Sequence, residues 1–287
     1  MAARLLATTQ DAILRLTLSN PAARNALHPD IYRDGIAAIA AAATDPDVRA
    51  IVVCGEGSHF CAGGNLNRLE ANRAQPPAVQ AASIDLLHAW IRAIRDCPKP
   101  VIAAIEGVAA GAGFSLALAC DLVVAATDAR FLMAYVKVGL TPDGGGSHWL
   151  IERLPYPLAY EILATGRPVD AQRLHALGLV NQLAEPGTAL SCALTRAGEL
   201  AGGPAHALGR IKSLLQSGER ERLARQLDRE RDEFVDALHH DDAGEGIRAF
   251  LEKRPPRYRA NPPPDPPAPA IRRPGAESSN KDRGTDS

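Results

Sequence analysis

Val101-Ile102-Ala103-Ala104-Ile105-Glu106-Gly107-Val108-Ala109-Ala110-Gly111-Ala112-Gly113-Phe114 passes from an unbroken apolar run into a cluster of small residues. Five apolar residues closed by Glu106-Gly107 read as a short buried strand. Gly111-Ala112-Gly113 then opens a helix through Phe114 and Ser115 towards Cys120-Asp121. The same transition occurs earlier in the chain. Residues 48–54 are β-branched and apolar, residues 55–60 form a loop, and Cys61-Ala62-Gly63-Gly64-Asn65-Leu66 follows. Small residues let a ligand approach the main chain, and a helix start leaves N–H groups without partners. Two such turns facing each other make a cradle for a negatively charged oxygen.

Working outward, residues 11–18 alternate as a half-buried strand ending at Asn20-Pro21. Pro29 suits the first position of an alanine-rich helix over residues 31–43. Residues 67–77 are polar and read as a mobile segment, and residues 83–97 carry Ile84, Leu87, Ile91 and Ile94 at helical spacing. Two more strands are expected over 122–126 and 131–135. Strands separated by helices predict parallel pairing and an α/β fold. From Pro155 onward the pattern turns helical, with segments at 158–163, 171–177, 188–200, 204–216, 219–238 and 242–253. The charged pair 219–253, with narrow apolar stripes, is expected to pack between subunits or over the ligand. Residues 255–287 hold nine of the 22 prolines and read as a disordered tail.

Composition narrows the function. A length of 287 residues supports a sizeable core, and a formal net charge of −1 argues against nucleic acid or an anionic membrane surface as partner. Five cysteines, an odd number set in apolar runs, read as reduced thiols. With no signal-peptide core and no membrane-length apolar stretch, the expected location is the cytoplasm. His59 and Cys61 lie two apart without a second ligand pair, so no metal is expected. Gly111-x-Gly113 lacks a third glycine at Leu116, which argues against a dinucleotide fingerprint.

The ordered motifs along residues 5–258 resemble the enoyl-CoA hydratase/isomerase (crotonase) superfamily. They are Asn20-Pro21 with Asn25-Ala26-Leu27, His59-Phe60-Cys61-Ala62-Gly63-Gly64-Asn65-Leu66, Lys99-Pro100-Val101, Gly111-Ala112-Gly113, Val138-Gly139-Leu140-Thr141-Pro142 and Glu245-Gly246-Ile247-Arg248-Ala249-Phe250. The resemblance implies a spiral of ββα repeats over residues 1–200, a helical trimerisation or lid region over 201–258, and a proline-rich tail over 259–287. It implies an acyl-CoA thioester substrate, with coenzyme A part of the substrate and no separate cofactor, and a homotrimer or dimer of trimers. It also implies that the N–H groups of Ala62 and Ala112 hold the thioester oxygen, with Gly63, Gly64, Asn65, Leu66 and Gly111 around them. Tyr258 is implied to close over the CoA nucleotide.

One departure shapes the chemistry. The two glutamates of the hydratases would fall at Ser115 and Tyr135, neither of which is a carboxylate. The remaining acid is Asp143 in Thr141-Pro142-Asp143-Gly144-Gly145-Gly146. By itself Pro-Asp-Gly is a turn sequence. By resemblance, an aspartate here marks an isomerase-like branch that includes the phenylacetate-pathway epoxyphenylacetyl-CoA isomerases. A single aspartate suits a proton shuttle, and an apolar pocket raises its pKa. Ser115 and Tyr135 read either as substrate contacts or as packing residues. The expected function is an acyl-CoA isomerase using Asp143. The alternatives are a hydratase or ring-opening hydrolase in which Asp143 activates water, and a non-catalytic CoA-binding scaffold.

Overall fold

Asp11 and Ala12, at φ 52° and 62°, form the tight turn of an antiparallel hairpin between β1 (Arg4–Gln10) and β2 (Ile13–Ser19). Paired left-handed residues match the twist of the flanking strands, so Asp11 belongs to the turn and not to the strand expected over 11–18. The computed structural model describes residues 3–258. Helix α1 (Pro29–Thr44) starts at Pro29, where a missing N–H costs nothing. β3 (Ala50–Gly55) follows, and the 67–77 segment expected to be mobile instead contains α2 (Leu66–Arg73). Its polar sequence gives no apolar period. The helix is set by Asn65, whose side chain caps Arg68 N–H at 3.2 Å, and by Asn72, which donates to Gln80 at 2.7 Å. α3 (Pro77–Asp96) therefore begins at Pro77, six residues ahead of expectation.

β4 (Val101–Ile105), β5 (Val108–Ala110) and α4 (Ala112–Ala119) realise the strand–turn–helix of the opening stretch. β6 (Leu122–Ala126) and β7 (Arg130–Leu132) come next. The strand expected over 131–135 stops at Leu132, and Tyr135 sits on a 3₁₀ turn, Ala134–Val138. α5 (Gly146–Arg153), unexpected from sequence, is followed by α6 (Tyr156–Thr165), β8 (Val169–Asp170), α7 (Ala171–Ala176) and β9 (Gln182–Ala184). The chain then runs through α8 (Ala189–Ala201), α9 (Ala205–Leu215), α10 (Glu219–His239) and α11 (Asp241–Leu251).

The larger sheet has the order β1-β2-β3-β4-β6-β9, parallel except for the β1 edge, and a smaller sheet has the order β5-β7-β8. Successive β4–β5 and β6–β7 units step from the larger sheet to the smaller one, the turn of a crotonase-type spiral. Strands β3 and β4 are buried along nearly their whole length, which is why they read as continuous apolar runs. α3 lays Ile84, Leu87, Ile91 and Ile94 into the core, each 2% exposed or less and each contributing about 1.5–3 kcal/mol. α10 packs on α3, and α11 on the 3₁₀ turn and α2. Residues through Arg257 form one compact unit and Tyr258 begins another. The tail expected over 259–287 lies outside the described residues.

Candidate functional site

The two glycine turns lie side by side. Cys61 and Ala109 form a parallel bridge, with Cys61 N–H donating to Val108 O (3.0 Å) and Ala110 N–H to Cys61 O (2.9 Å). The approach leaves no room for side chains: a Cβ on Gly63, already at φ 88°, would stand 2.7 Å from Ala110 O, and one on Gly113 2.7 Å from Cys61 Cβ. The Asn20–Leu27 loop braces this arrangement. Asn25, fully buried, donates to Glu56 O (2.9 Å) and His59 O (2.7 Å), while Leu27 N–H donates to Gly63 O (2.8 Å).

That brace corrects one expectation. Ala62 N–H donates to Arg24 O at 2.9 Å, so it is consumed within the fold and does not point free into the cradle. Among the described residues, the N–H groups of Gly64 and Ala112 have no acceptor in the protein, and both residues line the central cavity. Ala112 is the first residue of α4, whose leading N–H has no intrahelical partner. Gly111 also lines the cavity, and Leu66 does so from the start of α2. Asn65 is the α2 cap.

The cavity holds about 370 Å³. Arg24, Lys137 and Phe250 are exposed residues on its lining and mark the open end. Tyr32, Gln80, Ser83, Ile84 and Leu87 are buried residues of the same lining. Asp143 is 7% exposed and is the only carboxylate among the described lining residues. Its Oδ1 accepts from the Tyr135 hydroxyl at 2.6 Å, and its carbonyl accepts from Ser115 Oγ at 2.8 Å. Ser115 and Tyr135 are thus drawn together with Asp143, their oxygens 3.4 Å apart. Burial pushes the Asp143 pKa up to about 7; the Tyr135 hydrogen bond pulls it down, and Glu230 adds to the rise. The Tyr135 hydroxyl is held well above its ordinary range, first by burial and then by the Asp143 charge, so it acts as a donor.

Sequence reasoning missed what holds Asp143 in place. Gly144 N–H donates to His88 Nε2 on α3 (3.2 Å), and Trp149 Nε1 on α5 donates to Gly144 O (3.2 Å). Glu230 on α10, buried, accepts from Gly145 N–H (2.7 Å), Ser147 N–H (2.9 Å) and Ser147 Oγ (2.5 Å). His88, its pKa lowered to about 3 chiefly by burial, stays neutral and able to accept. These residues lie on three separate helices, and no spacing in the sequence links them to Asp143. Among the described residues, no three His, Cys, Asp or Glu side chains gather as a metal site.

The enoyl-CoA hydratase/isomerase profile matches residues 8–261. The chain belongs to the enoyl-CoA hydratase/isomerase family. It is 34% identical over 256 residues to the 1,2-epoxyphenylacetyl-CoA isomerase of Escherichia coli K12, covering 88% of this chain and 97% of that protein. It is also 34% identical to the 2,3-dehydroadipyl-CoA hydratase of the same strain, covering 89% and 98%. A crystal structure of an enoyl-CoA hydratase from Polaromonas sp. JS666 is 57% identical, with a TM-score of 0.75 and coverage of 89% of this chain and 100% of that one. Family membership makes this chain an acyl-CoA enzyme. Tyr258 begins the second compact unit and lies outside the unit that builds this cavity. No helix among the described residues is long and apolar enough to cross a membrane.

Proposed function

We propose that this protein is an acyl-CoA isomerase. Asp143 carries a proton between two carbons of an unsaturated or ring-bearing acyl group, while Gly64 and Ala112 N–H hold the thioester oxygen. The observation that carries this reading is the single buried carboxylate of the cavity, held through one oxygen by Tyr135. Relatives named as isomerase and as hydratase are equally similar, so the choice rests on the site's own chemistry. In the reaction, the Asp143 carboxylate removes a proton from the carbon beside the thioester carbonyl. The electron pair of that C–H bond becomes an enolate whose charge settles on the oxygen. Two preorganised donors in a closed site stabilise that oxygen by several kcal/mol. Asp143 then returns the same proton to a carbon further along, and the double bond moves. One acid/base group suffices because the proton is lent and given back, whereas hydration needs groups for both water and carbon.

The test is incubation with 2-enoyl-, 3-enoyl- and aryl-CoA esters, with products resolved by mass. The expected product has the mass of its substrate. A product heavier by one water moves the assignment to hydratase, and turnover of none supports a binding scaffold instead.

Assembly as a homotrimer or dimer of trimers, in the cytoplasm, belongs to the same proposal. Supporting it, Tyr156 and Tyr160 on α6 are 66% and 59% exposed and stacked, and Leu214 and Leu215 on α9 are 72% and 78% exposed. The five cysteines are all unpaired, as suits a reducing compartment. Light scattering is expected to give three or six times the chain mass at micromolar concentration. A monomer counts against it.

A further inference from the structure

The lining of the cavity carries polar groups that moving a double bond does not require. On α3, Leu87, Ile84, Ser83 and Gln80 share one face at helical spacing. Leu87 lies at the Asp143 loop: its Cδ2 is 3.6 Å from where a Cβ on Gly144 would stand. Gln80, seven residues earlier, is about 10 Å further along the helix axis. The α3 wall therefore runs from apolar beside the Asp143 loop to polar two turns away, while Tyr32 and Arg68 on the same lining are near enough to feel the Asp143 charge.

Several polar residues of this lining are buried, and they turn to the cavity polar atoms that have no partner among the described residues. Tyr32 is 3% exposed, Gln80 3% and Ser83 7%, and all three line the cavity. Among the described residues, neither the Tyr32 hydroxyl, the Ser83 hydroxyl nor the Gln80 amide nitrogen has a hydrogen-bond partner in the protein. Gln80 Oε1 is already taken by Asn72 at 2.7 Å, so only its N–H groups remain to offer. Arg68 of α2 joins this lining with its Nε buried and unpartnered, and its guanidinium makes no ion pair among the described residues. Burial, and then the Asp143 charge, push the Tyr32 pKa upward, so its hydroxyl stays protonated. The whole set is rich in donors. Arg68 and the Gln80 amide nitrogen can only donate, and both hydroxyls are free to do so.

The complement of a donor-rich pocket with a guanidinium is an acceptor-rich anion, and a carboxylate has four lone-pair sites and the planar shape that Arg matches. A plain hydrocarbon tail here would leave every one of these groups desolvated and unpaired, which a site selects against. We infer that the acyl group this protein takes ends in a carboxylate, bound at its far end by Arg68, Tyr32, Ser83 and Gln80. The inference rests on reading the cavity as an acyl-CoA site and adds the class of acyl group to it.

Calorimetric titration of the full-length protein with saturated, unreactive thioesters separates the two. The probes are hexanoyl- and octanoyl-CoA and their ω-carboxylated counterparts at neutral pH. The carboxylate-ended member of at least one pair is expected to bind about 30-fold or more tighter than its methyl-ended partner, the range for hydrogen bonds to a charged group. In Arg68→Met that ratio is expected to fall to within about threefold, and Ser83→Ala to erode it partway. Equal binding of both ends by the wild type, or tighter binding of the methyl ends, overturns the carboxylate subsite and leaves the acyl-CoA reading standing. So does an Arg68→Met that weakens both classes alike, since Arg68 then serves the CoA portion. A protein that binds none of the four overturns both readings.

Discussion

Asp143→Asn turns over the best acyl-CoA substrate at least about a hundredfold more slowly than the wild type. The change preserves shape and still accepts the Tyr135 hydrogen bond, but removes the one group in the cavity able to take a proton near neutrality. CoA affinity is expected to change little, because the substitution leaves the exposed Arg24 and Lys137 of the lining untouched. With a pKa of about 7, Asp143 is half ionised at neutral pH, so kcat rises with pH through that value and levels off above it. Tyr135→Phe deletes the hydrogen bond that lowers this pKa, so its profile is displaced to higher pH. Stability shows the opposite trend. Burial raises the carboxyl from 3.8 to about 7, so its stabilising contribution is whole below 3.8 and is lost as pH climbs through 7. Asp143→Asn never ionises there. It is expected to be more stable to unfolding than the wild type at pH 8, by at most roughly 4 kcal/mol, with the gap closing by pH 4. Wild-type turnover in Asp143→Asn reduces Pro142-Asp143-Gly144 to a structural turn.

Ala112→Pro lowers kcat by about 10²–10³-fold, the usual loss for one oxyanion donor. Position 112 opens α4, where proline's fixed φ is tolerated and no intrahelical bond is broken, so the fold is retained. Gly64→Pro is expected to act the same way, since a Cβ at Gly64 meets only Leu69 Cδ1, at 3.7 Å. Ala62→Pro removes the bond to Arg24 O and is expected to lower the melting temperature, because that N–H holds the loop together. Circular dichroism melts beside the kinetics distinguish the outcomes. A stable Gly64→Pro with full kcat contradicts the Gly64 donor.

Much of the site was legible in the chain because it depends on local pattern. Buried parallel strands announce themselves as apolar runs, and β3 and β4 appeared where residues 48–54 and 101–105 placed them, within two residues. Small residues behind those strands located both turns of the cradle. Tyr135, Ser115 and Asp143, singled out separately, do converge within hydrogen-bond distance. The failures were of another kind. α2 has almost no apolar periodicity, so its sequence reads as a loop, whereas a side-chain cap and the Asn72–Gln80 contact hold it as a helix. Phe131 and Leu132 carry a strand pattern that extends to Tyr135 on paper, whereas the chain leaves the small sheet at Leu132.

By itself, then, the sequence determined the α/β class, the family, the two glycine turns and the lone aspartate, since each is written in neighbouring residues. Tertiary structure alone decided which amide of the Cys61–Gly64 turn is free. That depends on Arg24 O reaching Ala62 N–H across a loop, and the same packing leaves Gly64 unpaired. It also decided that His88, Trp149 and Glu230, from three helices, clamp the Asp143 loop, and that burial moves this carboxyl to about 7. Hydrogen-bond partners and desolvation are properties of what surrounds a group in space, and periodicity along the chain carries neither.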